Sequence, residues 1–537
     1  MRRAACILAV AALIAGGCGG KGKGKGGELV GPGTRSDPAS ELVSPDGTPA
    51  APGETVPGGT AAAGAGGTGA TGARPSGAKG GGPTGARPSG AKGGGPAGTG
   101  SNPLGAIDPG IGVTGDTIKI VYYWRAGQGT NNPFLDGLGV NSNEGQAFRA
   151  WVKYVNAHAN GDGHIMGFPF NLHGRKIEGI VVDSGSNREQ WSSAAEKIVK
   201  EIKPFVSMSN VYSGHSEFTC PIMAKAGILS LATYDVEFDL ARRSNGYCLP
   251  WMLSFDRQVE ASTRYLVNRM DKTPYRGTTG DEKRKYAVAW AEMPGFEKSG
   301  PEVVKRLKAA GINVVASASA SGDLQTQAQQ SANMVAQFRS AGANTVLILD
   351  GVLPLTFTNA AESQTYRPDY YVWPGSVQDF PALSRFFNPN QWARASGLST
   401  TDPDFSPDQV HTSKARQAQW WGQYQSVDPT ENPPAQAPLI YQSMLQLVAG
   451  ITYAGRDLNA RTFVQGLERF EAYRYSMISG RSGDPTRMAL GLTSATGNST
   501  VTDFTVIRWV NRPAQGNEAA GYYEFLDSGR RYALKEL

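Results

Sequence analysis

The chain has little of what metal and redox chemistry needs: 537 residues contain 4 Cys and 5 His. His158, His164, His173, His215 and His411 show no HExxH or comparable spacing, and no CxxC is present, which excludes the common zinc and thiol-redox designs. Asn160, Asp162 and His164, in a Gly-containing stretch, read as a surface turn. There is no GxxxxGK[ST] loop and no strand-linked GxGxxG, so no nucleotide, dinucleotide or other cofactor is indicated. Gly214-His215-Ser216 imitates half of a nucleophile elbow. The pattern needs glycine where Phe218 stands and no partner triad is legible, so the chain does not read as an enzyme. Charge of one sign is not concentrated in the body either. Of 52 Lys and Arg and 46 Asp and Glu, residues 1–104 carry 10 and 5, which leaves the remainder almost neutral. Without a basic stripe, nucleic acid is not an expected partner.

What the chain has in excess is glycine, 69 residues, most of them before residue 105. Arg2 and Arg3 precede an apolar run, Ala4 to Ala15, that is too short to span a bilayer permanently. Small residues then lead to Cys18 as IAGGC, which resembles the lipobox of bacterial lipoproteins. The resemblance implies a signal peptide over residues 1–18, a lipidated Cys18 and anchoring to the cell membrane; ordinary secretion is the alternative. Residues 19–104 are Gly, Ala, Pro, Ser and Thr, with the repeat GARPSGAKGGGPT, GARPSGAKGGGPA. Such a segment buries too little apolar surface to offset its ordering entropy and reads as a disordered tether. Its root-mean-square span is roughly 50 Å. Export leaves Cys220 and Cys248 as a pair in an oxidising compartment, either as a disulfide or as two buried thiols. A bond closing that loop would contribute roughly 3 to 4 kcal/mol.

Order begins near Gly112. Thr117 to Tyr123 reads as a strand, Glu144 to His158 as a helix, Lys176 to Asp183 as a strand and Glu189 to Ile202 as a helix. The run Phe205 to Met208 is a buried strand, and Ser213-Gly214 opens a helix ending at Gly227. Leu229 to Ala232 is a short strand, followed by an apolar run near Leu249 to Phe255 and a helix from Val259 to Met270. The alternation then restarts: strands at Tyr286 to Ala291, Ile312 to Ala316, Thr345 to Leu349 and Tyr370 to Trp373, with helices at Lys298 to Ala310 and Gln325 to Ala341. Helices near Ala415 to Gln425, Ala437 to Ala454 and Ala460 to Phe470 precede strands at Phe504 to Val510 and Tyr522 to Leu526. Two βαβα series imply an α/β chain with two parallel sheets. The expected divisions are 105–256, 257–400 and a C-terminal segment, 401–537, that returns and completes both lobes.

In such sheets the crevice lies beyond the carboxyl ends of the strands, so Asn210, Tyr212, Ser213 and Gly214 would face it. Backbone N–H groups at that helix start favour an anionic oxygen. The ordered segments GVTGDTIKIVYYW, NLHGRKIEGIVVDSGSN, SGHSEFTCPIMAKAGILSLATYDVEF, KYAVAWAEMPGFEKSGPEVVKRLKAAGINVV and FRSAGANTVLIL resemble the leucine/isoleucine/valine-type periplasmic binding proteins, the type I solute-binding subunits of ABC importers. The similarity runs from about Gly112 to Val510. It implies two Rossmann-like lobes joined by hinge strands, closing on a small-molecule ligand.

By the same resemblance, Ser213, Gly214, Ala232, Thr233 and Tyr234 would bind a ligand carboxylate. An aromatic, Phe296, and an acid that meets a ligand ammonium, with Glu292, Asp350 and Asp379 as candidates, would come from the second lobe. Gly375 and Ser376 follow the strand Tyr370 to Trp373 and join the set. Tyr234 stands where amino-acid binders often carry threonine, and the loop 125–143 is longer than usual. Tyr122, Trp124, Tyr234, Phe296 and Trp373 would either line a site for an aromatic or larger apolar ligand or pack in core and hinge. The expected partners are an organic ligand, ABC permease subunits and, through the lipid anchor, a membrane, with the protein acting as a monomer. A ligand sensor working through a separate membrane partner is the alternative.

Overall fold

The computed structural model describes residues 111–124, 144–185, 187–209, 215–233, 240–250, 253–276, 282–292, 299–322, 324–376, 378–401, 416–430, 433–434, 436–491, 501–514 and 520–537. They all belong to one unit, Ser101–Leu537. Cys18 and the tether lie outside the described residues.

The first sheet is parallel, in the order β4-β1-β5-β6-β7: β1 (Thr117–Trp124), β4 (Lys176–Asp183), β5 (Val206–Ser209), β6 (Leu229–Thr233) and β7 (Cys248–Pro250). A separate two-stranded pair, β2 (Gly163–Ile165) with β3 (Phe168–Phe170), lies between β1 and β4 in the chain. The period-2 pattern of β1 divides its side chains between two cores. Ile118, Ile120 and Tyr122 enter one core with α1 (Glu144–Ala157). Val121 and Tyr123 enter another with residues of α2 (Arg188–Lys197) and α3 (His215–Lys225). The helix expected from Glu189 to Ile202 forms, as α-helix over Arg188–Lys197 that widens without a break into a π-helix over Ile198–Ile202 and ends at Lys203, in the left-handed region at φ 50°.

The second sheet follows the order β17-β16-β12-β11-β10-β8-β9, with β18 also pairing β16. Its parallel part is β8 (Tyr286–Glu292), β9 (Val314–Ser321), β10 (Thr345–Ile348), β11 (Asp369–Val372) and β12 (Ala395–Ser399). The antiparallel part is β16 (Asp503–Val510), β17 (Tyr522–Phe525) and β18 (Arg531–Ala533). Tyr286 and Val288 face a core that contains residues of α4 (Phe255–Asn268) and α5 (Ser299–Ala309). Ala287 and Ala289 face a core with residues of α6 (Leu324–Ser340) and α7 (Leu353–Ser363).

The C-terminal third serves both sheets. Helices α8 (Gln419–Gln425), α9 (Ala437–Ala454) and α10 (Ala460–Glu468) pack in the core of the first sheet, where Trp151 Nε1 donates to the Ala437 carbonyl at 2.9 Å. The small sheet of β13 (Tyr473–Ser476), β14 (Gly480–Arg481) and β15 (Ala489–Leu490) adds Tyr475 and Leu490 to that core. The chain thus passes between the two cores three times. Leu249 belongs to the first and Leu253 to the second; Leu398 to the second and Ala418 to the first; Val501 to the first and Phe504 to the second. No helix among the described residues is long and apolar enough to cross a membrane.

Candidate functional site

At the carboxyl end of β1, Tyr122 is fully buried and stacks on Phe148, ring centroids 4.8 Å apart. Its hydroxyl donates to Glu144 Oε2 at 2.9 Å, and Glu144, the first residue of α1, is only 8% exposed. Burial pushes the Glu144 carboxyl up to about 7, against the smaller opposing effect of the Tyr122 hydrogen bond. Trp124 ends β1 half-buried, with its carbonyl accepting from the Ser184 N–H at 2.7 Å. A Cβ on Gly145 would stand 3.1 Å from Val181 Cγ1 and 3.8 Å from Trp124 Cε2, so the glycine is what lets α1 approach this end of the sheet.

The turn after β5 carries four expected site residues, Asn210, Tyr212, Ser213 and Gly214, which lie outside the described residues, as do Tyr234 and Phe296. Ala232 and Thr233 have a described backbone in β6 but not described side chains. The scaffold on either side of the turn is described. His215, in the first turn of α3, is buried with its ring 4.8 Å from Tyr123 and 5.4 Å from Trp191. Cys220 and Cys248 form a disulfide with Cα atoms 5.7 Å apart, which ties α3 to β7. Both cysteines are buried with Leu240 in a small cluster of their own.

In the second sheet the candidates separate. Glu292 is exposed at the end of β8 and accepts from Ser319 Oγ of the neighbouring strand. Asp350 is buried and accepts the N–H groups of Val352 and Leu353 at 3.1 and 3.2 Å, which caps α7. Burial raises its pKa and the backbone bonds oppose that shift. Asp379, 1% exposed, accepts from Ser399 Oγ at 2.8 Å and from the Thr400 N–H at 3.4 Å, and burial pushes it up to about 6. Gln378 gathers this end of the sheet: its Nε2 donates to the carbonyls of Ile348 and Asp350 at 2.6 and 2.9 Å. Asp350, Gly375, Ser376 and Asp379 therefore sit together around the ends of β10 and β11, and Glu292 ends the neighbouring parallel strand, β8.

Gly375 has φ 75°, and a Cβ there would come 3.2 Å from Gln258 Nε2. Gln258 in turn accepts from Trp373 Nε1 at 2.9 Å, and Ser376 Oγ donates to the Trp373 carbonyl at 2.9 Å. Trp373 and Tyr122 are both fully buried, Trp373 in the core of the second sheet and Tyr122 in that of the first. Sequence reading had no signal for Gln258 or Gln378, because a glutamine on an amphipathic helix or in a loop is unremarkable by type. Glu144 was legible only as an acid at a helix start, the ordinary complement of the helix dipole. Among the described residues there is no group of acids, His and Cys placed to hold a metal. Asp162 bonds to His158 Nδ1 at 3.0 Å on the surface beside β2.

Comparison with curated protein sequences returns no match. Solved structures match the fold at low identity. A solute-binding protein of an ABC transporter from Rhodopseudomonas palustris BisB5, in complex with 3,4-dihydroxybenzoic acid, aligns at a TM-score of 0.50 and 10% identity over 78% of this chain and 98% of its own. One from Rhodopseudomonas palustris HaA2, in complex with p-hydroxybenzoic acid, gives 0.51 and 11% over 78% and 98%. A branched-chain amino acid ABC transporter periplasmic ligand-binding protein from Burkholderia xenovorans LB400 gives 0.51 and 12% over 78% and 96%. A family profile described as periplasmic binding protein matches residues 135–513. That span takes in all of the first sheet but β1, all of the second but β17 and β18, and all three passages between their cores, and the chain belongs to the periplasmic binding protein family, with the type I fold.

Proposed function

We propose that this protein is the extracytoplasmic solute-binding subunit of an ABC importer, tethered to the cell membrane through a lipidated Cys18 and the segment 19–104. It captures a small organic ligand, an amino acid, an amide or an aromatic carboxylate, and delivers it to permease subunits. The observation that carries this reading is the family match over residues 135–513, which covers most of two sheets whose cores the chain passes between three times, a layout suited to hinged closure. Neighbours of the same fold bound to hydroxybenzoates support a small aromatic acid as one ligand class. The turn Asn210 to Gly214, held between β5 and the buried start of α3, supplies the anion-binding end, with Ser213 and Gly214 on the carboxylate.

Ligand binding stabilises the form that binds, by roughly 2.7 kcal/mol at a ligand concentration 100 times Kd. A thermal-unfolding screen of the purified protein against amino acids, amides and aromatic acids is therefore expected to give a dose-dependent rise in Tm with one class, reduced in Ser213→Ala. No shift with any class would remove the transport reading. The anchor is tested separately: Cys18→Ser is expected to move the protein from the membrane fraction to the soluble fraction of the cells that make it. A variant that stays on the membrane refutes lipidation as the anchor.

A further inference from the structure

Glu144 is a buried acid with no counter-ion among the described residues. Its residue is 8% exposed, and the Tyr122 hydroxyl is its one side-chain hydrogen-bond partner among the described residues. The charged groups on the elements packed around it are otherwise engaged or exposed. Arg149 is exposed, with its Nη2 3.5 Å from where a Cβ on Gly145 would stand, and it is not among the influences on the Glu144 carboxyl. Asp183, ending β4, is exposed and accepts from the Gly185 N–H at 2.9 Å. Asp428, after α8, accepts from Gln146 Nε2 and Tyr424 OH at 3.1 Å each. Burial and the Tyr122 hydroxyl are the influences on the Glu144 carboxyl, and no Lys, Arg or His among the described residues offsets its charge.

A carboxyl removed from water stays neutral or takes a cation; ionised and unpaired it is costly. Here the acid stands at the carboxyl end of β1, on the side of the sheet where ligands of open α/β folds bind, with the half-buried Trp124 ring beside the adjoining Gly145. Of the second-sheet acids, Asp350 gives both oxygens to local N–H donors, and Asp379 gives Oδ2 to the Ser399 hydroxyl and the Thr400 N–H while its Oδ1 is buried without a partner among the described residues. We propose that Glu144 is the acid that receives a cationic nitrogen of the ligand, an ammonium or amidinium, with Tyr122 holding its carboxylate and Trp124 packing on the adjoining apolar part. Glu144 and Trp124 are then specificity determinants, and the ligand carries a positive group as well as any carboxylate bound at Ser213 and Gly214. This rests on the solute-binding reading above.

The test is titration calorimetry on the whole chain with matched probes: benzylamine against benzyl alcohol, L-phenylalanine against 3-phenylpropionate, and 4-hydroxybenzoate, each at pH 6 and pH 8. The amine of at least one pair is expected to bind tenfold or more tighter than its partner at pH 8. Its affinity should fall by about tenfold at pH 6, because Glu144 must lose its proton to pair with the cation while the amines stay protonated throughout. Glu144→Gln should abolish both the amine preference and the pH dependence while keeping a cooperative unfolding transition. Equal binding of an amine by Glu144→Gln, or binding of carboxylates alone, overturns the role of Glu144 and leaves the solute-binding reading intact. Absence of binding by every probe in both arms overturns this inference, while the wider screen decides the solute-binding reading.

Discussion

Asp503→Ala is expected to cost the protein about 3–5 kcal/mol of folding stability, the range for breaking a buried ion pair on one side. Asp503 opens β16 at the third passage between the cores, between Val501 in one and Phe504 in the other. It is 4% exposed. Its Oδ1 accepts from Arg531 Nε at 2.7 Å and from the Ala489 N–H at 3.1 Å, and its Oδ2 accepts from Arg474 Nη1 at 2.7 Å. The Arg531 side chain is fully buried and also donates to the carbonyls of Thr401 and Thr400 at 2.7 and 3.1 Å. One guanidinium therefore binds the second passage to the third. Alanine at 503 would leave that charge facing carbonyl oxygens alone and free a second arginine, Arg474. The exposed pair Arg306–Asp256, at 3.1 Å with both side chains about two-fifths exposed, is the control; Asp256→Ala should change stability by less than about 1 kcal/mol. Urea midpoints of the two variants measure the contrast. Equal midpoints would show that the passage does not depend on this pair.

The same passages show where the sequence was readable. Elements with a full apolar period declare themselves: β4 and α9 have the limits that their patterns predict, Lys176–Asp183 and Ala437–Ala454. β12 did not, since ASGLS has few large side chains, yet it is central to the second sheet. Its smallness is a requirement of packing, because a Cβ on Gly397 would lie 2.3 Å from the Val372 carbonyl oxygen. Helix α7, LPLTFTNAAES, is short and Thr-containing, and its start is stabilised by Asp350, a residue that sequence alone offered as a ligand acid. Helix α4 begins at Phe255, four residues before the expected Val259, where the Ser254 carbonyl accepts the N–H groups of Arg257 and Gln258. The fold was therefore legible through its periodic elements and its family likeness. The acid at β1 was not, because what distinguishes Glu144 from any helix-opening glutamate is the buried tyrosine beneath it, 22 residues away in the chain.

Glu144→Gln is expected to give the second large effect, because that buried acid ties stability to pH. The folded protein holds the Glu144 proton up to about pH 7, whereas an unfolded chain releases it near the ordinary glutamate value of 4.5. Between those values the folded state binds more protons than the unfolded state, so unliganded stability falls as pH rises through that window. By pH 8 the penalty is complete, on the order of 3 kcal/mol. Asp379, pushed up to about 6, adds a penalty of the same sign at the lower end of the window. The substituted glutamine cannot ionise, and its side-chain oxygen still accepts from the Tyr122 hydroxyl. Without ligand, the variant should be more stable than the native protein at pH 8 and lose most of that advantage by pH 5, with the Asp379 slope remaining. Urea unfolding at the two pH values decides it, and a variant less stable than the native chain at pH 8 would refute the buried, uncompensated charge. A substitution that strengthens the empty protein while weakening its hold on a cationic ligand is the behaviour expected of a binding residue rather than a structural one. The energy that ionised Glu144 costs the unliganded fold is what a positively charged ligand would restore.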